Sequence, residues 1–200
     1  MRSSEATNRR VWLVRRLVVT GCVLAASCST ASVPNRDAVT SAALECVPAD
    51  AQSPPADAKL LASLRHTVET GPVYALMVRK AGLTSCRIGN ESGRLELDYR
   101  FLDGGSLRVT HDPSIEYNDL EARFASPLAE DAVALLTRVE QAYFGATGCG
   151  IDWRQAETRP ASDDPKATES IYRGDTCNCQ ARVRSDAAGR VTGLVFRSAC

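Results

Sequence analysis

Arg94–Val109 (RLELDYRFLDGGSLRV) decides the fold. Leu95, Leu97, Tyr99 and Phe101 alternate with Glu96, Asp98 and Arg100, the period of two that marks a strand buried on one face and wet on the other. Asp103-Gly104-Gly105 is a hairpin signal, and Leu107 and Val109 continue the alternation on the return. Working outward, Cys86 falls on the strand before this pair, and Ile115, Tyr117, Leu120, Ala122 and Phe124 supply a further strand or two. The middle of the chain therefore reads as an antiparallel meander.

An antiparallel sheet with one apolar face needs a cover, and the flanking segments supply helices. Ser126-Pro127 offers an N-cap hydroxyl followed by proline at the first helical position, with Glu130 and Asp131 in the favourable N-terminal turns. Leu128, Ala132, Leu135, Leu136, Val139 and Tyr143 form the stripe of this longest helix, and Gly145 ends it. Upstream, Leu60, Leu61, Leu64 and Val68 recur at helical spacing until Gly71-Pro72 stops them. Val73–Ala81 reads as a second helix, with Arg79 and Lys80 at its C-terminus and Gly82 beyond. Asp37–Val47 reads as a short helix carrying Cys46, and Pro48–Asp57 as a loop. Downstream, Trp153 reads as a core plug and Arg154–Lys166 as a polar loop. A final hairpin places Cys177, Cys179, Ala181 and Val183 on one face, turns at Ser185–Arg190 and returns through Val191–Ser198. The fold class expected is α+β: an antiparallel sheet with one long helix packed on it, N-terminal helices and a C-terminal β-hairpin.

The N-terminus sets the compartment. Arg9, Arg10, Arg15 and Arg16 precede an eleven-residue run, Leu17–Ser27, without a charge. Basic lead, short apolar run and small residues before a cysteine are the build of a secretory signal, and the run is too short for the roughly 20 residues of a spanning helix. Residues 1–27 are thus read as signal peptide, 28–36 as a small, polar tether and 37–200 as a single domain. Removing residues 1–27 takes five arginines and one glutamate from totals of 24 basic and 24 acidic residues, leaving 19 and 23, a net charge of −4. No basic stripe for nucleic acid is present. Beyond Cys28 remain Cys46, Cys86, Cys149, Cys177, Cys179 and Cys200, an even number that reads as three disulfides in an oxidising compartment.

Chemistry-bearing motifs are sparse. Neither His66 nor His111 stands beside a serine or cysteine in a motif, and Gly-x-Ser-x-Gly, phosphate-loop and His-Glu-x-x-His patterns are missing. The adjacent carboxylates Asp163-Asp164 and Glu130-Asp131 read as loop and helix-start charges. Cys177-x-Cys179 reads as structural and not as a metal or redox pair. The expectation is no catalytic residue, no metal and no cofactor.

Leu24-Ala25-Ala26-Ser27-Cys28 resembles the lipobox of bacterial lipoproteins, which implies lipidation at Cys28. Ala25 stands where lipoboxes favour leucine. Val19-Thr20-Gly21-Cys22 fits the box letters better but leaves only five apolar residues after Arg16, and cleavage after Ala31 would instead release a soluble periplasmic protein. Ser29 beside the lipidated position implies, by the same resemblance, an outer-membrane destination facing the periplasm. The last 30 residues, IYRGDTCNCQARVRSDAAGRVTGLVFRSAC, resemble the strand-turn-strand of TolA and TonB C-terminal domains, though here no helix follows. Anchor, size, cysteines and the α+β body together resemble small envelope lipoproteins that serve as immunity proteins or inhibitors against cell-wall hydrolases.

The function expected is accordingly a non-enzymatic envelope lipoprotein that binds a periplasmic protein and meets the membrane through its lipid, with a TolA/TonB-like structural module as the alternative. Acidic residues along Ser114–Glu121 and Ala161–Glu169 are the candidate contact segments. A turn centred on Asp186–Gly189 gives partner numbers summing to about 375, which sets Cys177 within a diagonal step of Cys200, and a bulge would bring them directly opposite. The pairing expected is Cys177–Cys200, with Cys149–Cys179 and Cys46–Cys86 completing the set.

Overall fold

The computed structural model describes residues 45–50, 56–91, 93–144 and 149–199. The signal peptide, Cys22, Cys28, Ala31, the tether, Gly145 and Cys200 lie outside the described residues. The elements are β1 (Val47–Pro48), α1 (Ala58–Glu69), α2 (Pro72–Ala81), β2 (Leu83–Glu91), β3 (Arg94–Phe101), β4 (Ser106–Asp112), β5 (Tyr117–Arg123), α3 (Ala132–Phe144), β6 (Glu157–Pro160), β7 (Thr168–Arg173), β8 (Gln180–Ser185) and β9 (Val191–Ala199).

The alternation in β3 does what its period demands: Leu95, Leu97, Tyr99 and Phe101 are buried, while Glu96, Asp98 and Arg100 face the other way. At the β3–β4 turn Gly104 adopts φ 89°, a conformation that costs glycine nothing, and the Asp103 carboxylate accepts the Gly105 amide at 2.9 Å. Strands β2 to β5 form the meander, and one sheet continues across it in the order β1-β2-β3-β4-β5-β9-β8-β7-β6. All its pairs are antiparallel except β1 with β2. The sheet is therefore mixed and not purely antiparallel, because Val47 and Pro48 form a strand beside β2, with Val47 opposite Arg87, and Cys46 is not helical. The rest of the expected first helix, 37–44, lies outside the described residues.

Three helices, of 12, 10 and 13 residues, pack on the apolar face among the described residues, in place of one dominant helix. Asp57 caps α1 by accepting the Leu60 amide at 2.8 Å. Pro72 opens α2, and Gly82 at φ 70° closes it. Helix α3 starts at Ala132, not at Ser126-Pro127. Asp131 is the effective cap, accepting the amides of Val133 and Ala134 at 2.8 and 3.0 Å. The preceding residues are drawn away from helix by a long-range bond, the Leu128 amide donating to Val191 of β9 at 2.9 Å. Leu64, Val68, Val73, Met77, Leu135, Leu136 and Val139 then close one core with the inner residues of β3, β4, β5, β8 and β9. Across this interface the Tyr74 ring meets Tyr99 edge-on at 5.1 Å, and the fully buried Tyr99 donates its hydroxyl to Glu69 at 3.2 Å.

The C-terminal part holds more strands than the expected hairpin. Arg154–Lys166 is not all loop but contains β6, and β7 precedes β8. Strands β8 and β9 pair with numbers summing to 377, as in Gln180 with Arg197, after a bulge shifts the register between Arg184 and Ser185. Cys177 is not on the strand face with Cys179. It sits exposed in a turn with Asn178, at φ 52° and 44° respectively, and its carbonyl accepts the Ala199 amide at 2.8 Å. Disulfides join Cys46 to Cys86 and Cys149 to Cys179. Cys177 is disulfide-bonded as well, and its expected partner Cys200 lies outside the described residues. Among the described residues no helix is long and apolar enough to cross a membrane.

Candidate functional site on the open face of the sheet

Helices cover one side of the sheet, so the charged residues that alternate with the core residues line the other. Strand pairing carries one row across this face from Asp98 through Arg108, Glu121, Val195 and Arg182 to Ile171. The adjacent row runs from Arg100 through Ser106, Arg123, Gly193 and Arg184 to Glu169. Ion pairs join the two rows, Arg100–Asp98 and Arg123–Glu121, both at 2.8 Å, and others run across strands within a row, Arg197–Asp119 at 2.8 Å and Arg159–Glu169 at 3.2 Å. Each such half-exposed pair contributes about 0–1 kcal/mol to stability. A plain reading is a solvated face that keeps sheets from stacking, but that role does not require the shape found at its centre.

There the face is concave. A bowl of about 520 Å³ opens over Gly193, lined by Glu121 and Arg123 of β5, Arg182 and Arg184 of β8, Glu169 of β7 and Asp163 of the β6–β7 connection. Gly193 forms part of the floor: an added Cβ would lie 3.3 Å from the Ala122 carbonyl oxygen and 3.6 Å from the Arg184 Cβ. A glycine inside a strand often marks close approach by another group. The wall is fixed by Arg184, whose Nη1 donates to both oxygens of Asp163 at 2.6 and 2.8 Å. That bond holds the Asp163 carboxyl below its ordinary range. Ala161 and Ala167, both buried, close the connecting loop by an amide-to-carbonyl bond of 2.9 Å.

The two acidic segments singled out in the sequence meet at this bowl, through Glu121 from the first and Asp163 and Glu169 from the second. Glu116 stays apart in the exposed β4–β5 turn. Sequence reading missed the arginines that neutralise these carboxylates, and missed Gly193. The available signal was the Arg182-x-Arg184 alternation facing a strand with a glycine. Other sequence candidates have structural employment. Asp131 caps α3, and Asp164 turns the loop by accepting the Lys166 amide at 2.9 Å. Trp153 is half-buried and donates to the buried Glu140 at 3.1 Å, with its ring 5.4 Å from Tyr172.

The histidines are not brought to this bowl. His66 is exposed on α1. His111 Nδ1 lies 2.8 Å from Asn118 Oδ1, and the next residue in that cross-strand row is the fully buried Ser198. His111 and Ser198 are two strands apart, about 10 Å at the usual strand spacing, so they do not form a nucleophile–base pair. Cys179 is bonded to Cys149. Among the described residues no group of three or more His, Cys, Asp or Glu side chains could hold a metal. Comparison of the chain with protein-family models, with curated proteins and with solved structures found no match.

Proposed function

We propose that this chain is a bacterial envelope lipoprotein, anchored through Cys28, that acts without catalysis by binding a periplasmic protein, as an immunity protein or inhibitor of a cell-wall hydrolase does. The open face of the sheet, centred on the bowl over Gly193, is its binding surface. The observation that carries this reading is the convergence of Glu121, Asp163 and Glu169 with three arginines in one concavity on the face that no helix covers among the described residues. Cation–carboxylate lattices of this kind select partners by charge register and steer encounter more than they add raw affinity. The net charge of −4 beyond the signal favours approach by basic hydrolases.

The alternative, a TolA/TonB-like module that binds through a sheet edge, has less support. One edge, β1, is two residues long and ends in Pro48, and the other, β6, is four residues long, charged and ends in Pro160. Short, charged, proline-bearing edges are the devices that discourage strand addition. The test is capture from periplasmic extract by the wild-type protein, run beside assays of protection against a panel of wall hydrolases. A specific protein captured by the wild type and lost on reversing Glu121 and Arg123 together supports the reading. No capture and no protection would refute it.

A further inference from the structure

The bowl holds three carboxylates and three arginines, but they do not all pair with one another. Glu121 is taken by Arg123, Asp163 by Arg184 and Glu169 by Arg159, which lies outside the bowl. That leaves Arg182. Its Nε donates to the Gln180 amide oxygen at 2.7 Å, and among the described residues no carboxylate pairs with it. Its cross-strand neighbours on this face, Val195 and Ile171, offer no acceptor side chain. A guanidinium carries five N–H donors in a planar fork, so the Nη donors of Arg182 remain for a ligand. Beside it the floor at Gly193 is backbone alone.

We infer that the bowl receives a carboxylate carried by a protruding acidic loop of the protein partner, with Arg182 as its main ligand. This rests on the open face being the binding surface. A singly charged, planar carboxylate matches the fork in bidentate fashion. A phosphate fits less well, because its second charge would face Glu121, Asp163 and Glu169 around the rim. The volume of about 520 Å³ admits the apex of a loop, and the missing side chain at Gly193 lets its backbone come close.

The experiment is a nuclear magnetic resonance titration of the ¹⁵N-labelled protein with the blocked peptide acetyl-Gly-Glu-Gly-amide, with acetyl-Gly-Gln-Gly-amide and with inorganic phosphate. Saturable shifts at the Arg182 Nε–H and the Gly193 amide are expected with the Glu peptide, and much weaker ones with the other two. Arg182→Gln abolishes them, whereas Arg87→Gln, at an exposed arginine elsewhere on the face, leaves them intact. Arg182→Lys keeps the charge without the fork and weakens binding, which guards against loss of fold in the first variant. Absence of saturable shifts, equal shifts with the Gln peptide, tighter binding of phosphate, or persistence in Arg182→Gln overturns the inference. With a captured partner, Arg182→Glu should lower affinity roughly tenfold or more. Equal capture by Arg182→Glu and wild type would leave the binding role standing and remove the carboxylate site.

Discussion

Glu140 shows how much one side chain can hold in place. It is buried on α3, and its two oxygens accept the Cys149 amide at 2.6 Å and the Trp153 indole N–H at 3.1 Å. Glu140→Ala strips the acceptor from two donors, and each buried donor left unsatisfied costs about 1–3 kcal/mol. A drop of more than roughly 2 kcal/mol in urea unfolding is therefore expected, and a change under about 0.5 kcal/mol, the scale of ordinary surface substitutions, would contradict the geometry. Asp163 gives a pH prediction with the opposite locality. The hydrogen bond from Arg184 depresses its folded value below the ordinary 3.8, so its contribution is complete above the unfolded value and is lost as pH falls through the folded one. The wall of the bowl should stay closed from neutrality down through pH 5 and loosen only below the ordinary carboxylate range. Amide exchange at Ala167 and the Arg184 side-chain signal report this, and Asp163→Asn should show the loosened signals already at neutral pH.

Among the elements, α3 separates two cap candidates that look alike in sequence. Asp131→Ala should cost about 1 kcal/mol, the usual worth of an N-cap, while Ser126→Ala should be nearly silent. The reverse outcome in thermal or urea unfolding would restore the earlier start. What decided between them, the Leu128 bond to Val191, spans the sheet and has no local signature. Helices α1 and α2 were legible from apolar residues at helical spacing and their stops at Gly71-Pro72 and Gly82, and β3 and β4 from alternation about Gly104. Strands β2 and β5 were placed with less detail: β2 buries only Cys86, and Ile115, read as strand, lies exposed in the turn before β5. Strands β6 and β7 were not legible. Glu157–Pro160 is exposed throughout, and Thr168–Arg173 has only Ile171 fully buried, so no alternation reaches the sequence. The site was half legible: its carboxylates stand in acidic segments, but Asp163 is answered by Arg184, 21 residues on, and elsewhere on the same face Asp119 is answered by Arg197, 78 residues on. Pairing of that range follows from strand order, and spacing alone does not encode it.

On the scale of the whole molecule, the chain from Ser41 to Cys200 is one compact unit, closed by covalent loops with separations of 40 and 30 residues. Loops of this size stabilise by roughly 3–5 kcal/mol each through the unfolded chain, so Cys46→Ser with Cys86→Ser should lower the unfolding free energy by about that much. A loss under about 1 kcal/mol would show that the bond merely follows the fold. The proposed anchor adds a localisation test: Cys28→Ser should leave the membrane fraction and take up no palmitate label, while Cys22→Ser changes little. Retention of label in Cys28→Ser would put the lipid elsewhere. The bond at Cys46 also has a mechanical meaning. Tension arriving along the backbone from the N-terminal side reaches Cys46 before it reaches the two-residue strand β1, and the cystine hands the load to Cys86 in the interior of β2. Force then enters at the middle of β2 and bypasses the short edge strand β1. In single-molecule pulling between the termini, the 40-residue segment stays out of the extension released on unfolding, and replacing Cys46 and Cys86 by serine lengthens that release by about 130–145 Å.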